Sequence, residues 1–475
     1  MSQSESGVER ARRNARPRYA IVGTGVRSYL YLSALLGEHM GDGELVGMCD
    51  RNAGRLRRAA QLAQGAAVPI PTFGPDDFKR MLRETGAQRV IVTTPDFTHA
   101  DYIVAALEEG VDVVTEKPLT IDADSCRRIF AARRAAGRSV RVMFNYRYSP
   151  PRTLVKQVLM SGIIGPVTAV DFEWRLDTHH GGDYFRRWHR NKANSGGLLV
   201  HKATHHFDLI NWWLGSTARS VRARGRRVFY RPETADALGL ADRGERCAGC
   251  AAFDRCPLKL NLAASRTLTA LYADNESLDG YFRDRCVFSA EIDIEDTMQA
   301  LIEYQSGVVV NYLLNAYDAA EGYRVVFHGE RGVLTLETVE RAYLRPDGRP
   351  LRPATPATSS VVVQRQFGKP WRLVIPESEG SHGGGDRAML ADLFGQAGED
   401  PFGRAADERG GAWSALVGIA ANASIASGAE ISLDALAADI PRPAPEPTPF
   451  GDPRLGPLPD PAAYPFLAGA TVEAS

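Results

Sequence analysis

The sequence predicts an α/β protein that begins with a doubly wound parallel sheet, and three observations carry that prediction. Between Arg18 and Tyr148, short apolar runs alternate with helical segments, the pattern of repeated βαβ units. The first run, RYAIVG (Arg18–Gly23), opens into Gly23-Thr24-Gly25-Val26-Arg27-Ser28 and a helical SYLYLSALL, the strand–glycine turn–helix layout of a dinucleotide site. Further on, PVTAVDFEWRLD, EDTMQALIEYQSGVVVNYLLNAY and YRVVFHGERGVLTLE read as sheet strands, with QSG as a hairpin turn inside the second stretch.

Bulk composition narrows the class. A chain of 475 residues exceeds one ordinary core, so two or three domains are expected. Apolar content of 44% and charged content of 24% are those of a soluble globular protein. With 57 basic and 57 acidic residues there is no electrostatic footprint for nucleic acid or a membrane surface. Residues 1–17 carry basic side chains without an apolar run behind them and read as a flexible arm. The Arg12-Arg13 pair resembles a twin-arginine signal, but the hydrophobic region that should follow is missing. No stretch reaches the roughly 18 apolar residues of a membrane helix. The expectation is a cytoplasmic protein, whose cysteines are free or metal-bound rather than paired in disulfides.

The glycine turn lets backbone approach a pyrophosphate at a helix N-terminus, where the dipole favours negative charge. Ser28 stands where a third glycine is usual, loosening the strand–helix contact. The next strand, ELVGMCD, ends at Asp50, placed to accept hydrogen bonds from the adenosine ribose. A carboxylate there points to NAD, Arg51 beside it leaves NADP open, and a plain helix-cap role is the alternative. RVIVTTP then leads into the helical DFTHADYIVAALEEG, VDVVTEKPLT closes on Glu116-Lys117-Pro118, and SVRVMFNYRY ends the series.

A second concentration of chemistry lies in SGGLLVHKATHHFDLINWWLG (Ser195–Gly215). On one continuous helix, His201, His205 and Asp208 share a face at i, i+4 and i+7. Such a face suits acid–base work, because imidazole titrates near neutral pH. A zinc pair is the alternative reading of two histidines at i, i+4, though the charge of Lys202 opposes a cation there.

Taken together, the glycine turn, the acidic strand end, TTPDFTH, EKP and the GG…H…H..D helix resemble the Gfo/Idh/MocA family of NAD(P)-dependent oxidoreductases over about residues 18–330. The resemblance implies a Rossmann domain at 18–145 and an α/β domain with a large, mostly antiparallel sheet at 146–440. It implies a cofactor held by Gly23, Thr24, Gly25, Val26, Arg27, Asp50, Arg51, Thr94, Pro95, His99, Glu116 and Lys117. Lys117 would hold the substrate oxygen and His205 would take the hydroxyl proton, with Asn145, Tyr146 and Arg147 on the substrate side. Where the family usually carries an aspartate, four residues before the catalytic histidine, this chain has His201, which is left to bind a sugar hydroxyl or assist catalysis. Lys202 and Asp208 complete the substrate wall, Asp208 also being a candidate to orient His205. The implied activity is NAD-dependent oxidation of a secondary hydroxyl of a sugar, polyol or glycoside. The alternatives are glycoside cleavage with transient use of NAD and, last, a non-catalytic sugar or NAD sensor; a homo-oligomer is expected.

Residues 224–290 read as an insertion carrying Cys247, Cys250, Cys256 and Cys286, for which structural zinc, an iron–sulfur cluster and free thiols are the readings. EGSHGGGD (Glu379–Asp386) reads as a pocket loop that offers His382 to the substrate, or as a linker. Residues 410–428 form a buried closing helix, and the proline-rich 441–475 reads as a structureless tail free to wrap a neighbour.

Overall fold

The computed structural model describes residues 16–65, 69–342, 358–377, 384–395, 398–444, 465–467 and 469–472. His382 and nearly all of the N-terminal arm lie outside them. The first sheet is built on β1 (Arg18–Val22), β2 (Glu44–Cys49), β3 (Thr72–Phe73), β4 (Arg89–Val92), β5 (Asp112–Thr115) and β6 (Val140–Val142), which run parallel in the order β3-β2-β1-β4-β5-β6. Residues Tyr19 to Val22 are all buried, as a strand with helices on both faces requires. The order reverses between β1 and β4, and ligands bind in the crevice that such a switch point opens at the carboxyl ends of the strands.

Part of the segment 146–440 also joins the first sheet: β15 (Ala406–Asp407) adds antiparallel to β6 at its edge. The helix Gly385–Phe394 packs Met389, Leu390, Leu393 and Phe394 into the cluster of Tyr19, Ile21 and Tyr31. The first sheet therefore has one of its apolar faces covered by a late part of the chain.

The second sheet has ten strands among the described residues; with β13 (Thr358–Arg365), β14 (Pro370–Arg372), β16 (Ile431–Ser432) and β17 (Thr471–Val472), their order is β16-β8-β9-β10-β7-β11-β12-β13-β14-β17. Its centre is β7 (Val167–Asp177), β8 (Ala218–Arg226), β9 (Thr297–Tyr304), β10 (Val309–Asp318), β11 (Ala320–Gly329) and β12 (Gly332–Ala342). Only the β7–β10 pair is parallel; every other pairing described in this sheet is antiparallel. Alternating burial along β9 and β10 shows one face turned inward. On that face Trp174 stacks on Tyr323 at 4.5 Å and on His206 at 4.1 Å. His206, bonded to the Tyr312 hydroxyl at 2.7 Å, is thus a core residue. The helix Glu408–Ser427 closes this core against β8 and the helix Thr204–Leu214.

The tail expectation also changes. β17 (Thr471–Val472) pairs with β14 (Pro370–Arg372) on the same chain, and Phe466 and Leu467 are buried.

The insertion leaves β8 and returns to β9 through a neck held by Asp296. This fully buried carboxylate accepts hydrogen bonds from the backbone amides of Val228 (2.9 Å), Phe229 (2.7 Å) and Tyr230 (3.0 Å). Inside it, Cys247, Cys250, Cys256 and Cys286 are free thiols lining one small cavity. The zinc expectation is not supported: among the described residues no three His, Cys, Asp or Glu side chains are arranged to hold a metal ion. Main-chain amides take up two of the sulfurs instead, Leu260 N–H donating to Cys247 and Gly244 N–H to Cys250.

Replacing Asp296 with alanine leaves one buried and two half-buried amides without their acceptor. It is expected to lower stability by about 2–4 kcal/mol, read by urea unfolding.

Candidate active site

At the carboxyl ends of β1, β2, β4 and β5 lies a cleft of about 790 Å³, within the range of small-molecule and cofactor sites. Its floor is the glycine turn. Gly23 has φ +87°, and a Cβ there would lie 2.8 Å from the Thr93–Thr94 backbone, so only glycine fits. The helix Ser28–Leu36 follows, and Gly25, Val26 and Arg27 line the cleft. Thr24 does not line it; its backbone N–H and hydroxyl donate to Asp50 at 2.6 and 2.9 Å. Thr24 therefore positions the carboxylate rather than meeting a ligand. Asp50 lines the cleft with Arg51, Arg55 and Asp279, and Arg51 is largely exposed. An acidic end of this kind repels a 2′-phosphate and fits the NAD adenosine.

Thr94, Pro95 and His99 form the next stretch of wall. The two His99 ring nitrogens face the carbonyls of Pro118 (2.8 Å) and Thr94 (2.9 Å), so this buried ring ties the β4 and β5 ends together. Burial holds its pKa below the usual imidazole value. Glu116 accepts from Arg27 (2.5 Å) and the Tyr31 hydroxyl (2.7 Å). Asp386, on the helix Gly385–Phe394, accepts from Asn145 at 2.8 Å and lies 3.4 Å from Arg27.

Lys117 follows Glu116 on a cis peptide to Pro118. Its ammonium donates to the His201 carbonyl at 2.9 Å, and its Nζ lies 3.5 Å from His201 Nε2. Burial lowers the Lys117 pKa to about 8, against the opposing pull of the Asp96 and Glu116 carboxylates. On the far side of the imidazole, His201 Nδ1 lies 2.5 Å from Asp96 Oδ2. Burial also raises the Asp96 pKa and lowers that of His201, the latter helped by the charge of Lys117. A neutral imidazole donating from Nδ1 to Asp96 leaves Nε2 to accept from Lys117, giving a carboxylate–imidazole–ammonium chain.

The helix expected over Leu198–Leu214 is broken. One short helix covers Leu198–His201 and a second covers Thr204–Leu214, with a turn at Lys202-Ala203. Lys202 causes no exposure at the break: it is buried, donating to the Tyr146 hydroxyl at 3.1 Å with its Nζ 4.8 Å from the Trp174 ring. His201 turns to Asp96 and His189, whereas His205 stacks on Tyr146 with ring centroids 4.1 Å apart. The two histidines have different neighbours, and a zinc pair is not formed.

Asp208 and Arg147 are also corrected. They form a buried two-pronged ion pair at 2.6 and 2.8 Å, and neither lines the cleft. Two opposite charges removed from water satisfy one another, which gives this pair a structural role. Asn145, Tyr146, Lys202 and His205 do line the cleft. So do residues that sequence reasoning missed: Asp96, Tyr184, Arg187, His189 and, from the insertion, Tyr272. Asp96 carried a signal, since it sits in the TTPDFTH motif, but an aspartate before a helix reads first as a cap.

The class follows from the switch-point cleft, the glycine turn and the buried lysine: an oxidoreductase of the dinucleotide-binding type. Comparison with known proteins agrees. The NAD-binding Rossmann-fold model of the Gfo/Idh/MocA oxidoreductase family matches residues 17–144, and its C-terminal α/β model matches 156–433. The chain belongs to this family. It is 34% identical over 389 residues to YteT of Bacillus subtilis, described as an oxidoreductase, covering 79% of this chain and 88% of that one. It is 29% identical over 176 residues to an inositol 2-dehydrogenase of Rubrobacter xylanophilus, 36% of this chain and 45% of that one. The aldose-aldose oxidoreductase of Caulobacter crescentus has the same fold, with a TM-score of 0.57 at 15% identity over 88% of this chain and all of that one.

Removing the Asp96 carboxylate withdraws an attraction that favours the charged lysine. In Asp96→Asn, Lys117 is expected to titrate below its value of about 8, measured by NMR of the lysine side chains, of which the chain has only seven.

Proposed function

We propose that the protein is an NAD-dependent dehydrogenase that oxidises a secondary hydroxyl of a sugar, polyol or glycoside. One observation carries the reading: the Lys117 ammonium, held by the His201 carbonyl, lies in the same cleft as the glycine turn, Asp50 and His205. The residues fit the cofactor. Gly23, Gly25 and Val26 would face its diphosphate, Asp50 its adenosine ribose, and Thr94, Pro95 and Glu116 its nicotinamide half. When bound, the nicotinamide supplies the hydride acceptor.

The chain's own groups handle the proton and the oxygen. Lys117 donates a hydrogen bond to the substrate oxygen and stabilises negative charge as it develops there. His205 takes the hydroxyl proton, its ring orientation fixed by stacking on Tyr146. The Asp96–His201 pair keeps Lys117 charged and aimed. Inositol 2-dehydrogenases among the relatives support a polyol or sugar as the substrate class.

The test is a screen of sugars, inositols and glycosides with NAD, reading NADH formation and glycoside cleavage together. Net NADH supports the proposal; cleavage without net NADH replaces it with transient cofactor use; binding without turnover overturns an enzymatic role. Lys117→Ala is expected to lower kcat/KM by about 100-fold or more, and unchanged activity would remove Lys117 from the mechanism. Because the charged lysine is the active form, kcat/KM should fall as pH rises through about 8. In Asp96→Asn that limb should move to lower pH.

A further inference from the structure

The insertion is not an appendage on the second sheet; it reaches across to the first domain. Tyr272, Asp279, Tyr281 and Arg285 share the cleft with Gly25, Val26, Asp50 and Arg55. Four contacts fix them there. The Val26 N–H, at the opening of the helix behind the glycine turn, donates to the Tyr272 hydroxyl at 3.4 Å. Asn52, which caps the helix Ala53–Leu62, donates from Nδ2 to the Asn275 carbonyl at 3.2 Å. Arg55 donates to Asp279 at 2.5 Å, with both side chains buried. At Gly54 a Cβ would fall 1.6 Å from Asn275 Oδ1, so the insertion seats directly on the backbone beside Asp50.

A cation completes the picture. Arg187 lines the cleft and donates to Asp183 at 3.4 Å, a carboxylate held more closely by Arg283 at 2.7 Å. Its buried Nε has no hydrogen-bond partner among the described residues. Arg187 thus keeps one unpaired donor, Nε, while its quarter-exposed side chain opens on the cleft, a combination suited to an anion. A diphosphate lying on the glycine turn brings that anion into the cleft which Arg187 lines.

We propose that the insertion is a cofactor clamp: Tyr272, Asn275 and Asp279 dock it on the glycine turn and the Asp50–Arg55 segment, and with Arg187 it holds the dinucleotide against release. The clamp rests on the dehydrogenase reading above, because it presumes that the cleft takes NAD. It makes release of the reduced dinucleotide, rather than hydride transfer, the slow step of the cycle.

The experiment loads the full-length protein with NADH, chases with excess NAD, and follows loss of bound-NADH fluorescence. Two variants are compared with the parent: Asn275→Ala/Asp279→Ala, which loosens the docking, and Tyr272→Phe, which removes one hydroxyl and keeps the ring should the double variant fail to fold. Loss of a charged hydrogen bond at the docking surface is expected to speed release about tenfold or more in the double variant. Tyr272→Phe should speed it less. Parent NADH release tenfold or more faster than kcat, or release unaltered in the variants that fold, overturns the clamp and leaves the dehydrogenase standing. Failure of the parent to bind NADH at all overturns both.

Discussion

The site depends on one buried ion pair. Arg147 comes from the turn that follows β6, Asp208 from the helix that carries His205, and Arg147 also donates to the Gly403 carbonyl just before β15. Three distant parts of the chain meet in that guanidinium. Breaking such a pair leaves an uncompensated buried charge, at a cost of about 3–5 kcal/mol. Its effect on function is indirect but strong. It fixes the wall bearing His205 relative to the sheet edge bearing Lys117, and hydride transfer tolerates little error in that spacing.

Beside this seam, the cleft contains a balance of buried charges. Lys117, Asp96 and His201 would each be driven toward neutrality by burial alone, yet each is in contact with a group that favours its charge or polarity. Where the family resemblance led to the expectation of an aspartate, His201 stands, and the TTPDFTH loop supplies a carboxylate to it, Asp96, from the end of β4. The chemistry constrains which groups meet, and leaves open which segment carries each.

Much of this was legible in the sequence, for physical reasons. Strands buried on both faces must be continuous apolar runs, so RYAIVG and RVIV were visible; the glycine turn and EKP are short motifs with fixed geometry. The break at Lys202-Ala203 was not visible, since neither residue opposes a helix. It follows from a buried lysine reaching Tyr146, a tertiary contact with no local signature. Arg147 and Asp208 each resembled a ligand contact because a buried ion pair and a polar pocket wall use the same residue types. The docking of the insertion on Gly54 was equally silent, being a relation between residues more than two hundred positions apart.

The late strand β15 carries a consequence for biosynthesis. A ribosome delivers β1 to β6 long before residues 385–407, so the nascent first sheet emerges with one edge unpaired and the apolar cluster around Tyr19 and Tyr31 uncovered. An exposed edge and an apolar face are the features by which unfinished chains associate wrongly. The Rossmann half of this protein therefore gains its last edge strand and the cover of its apolar cluster only in the last third of translation.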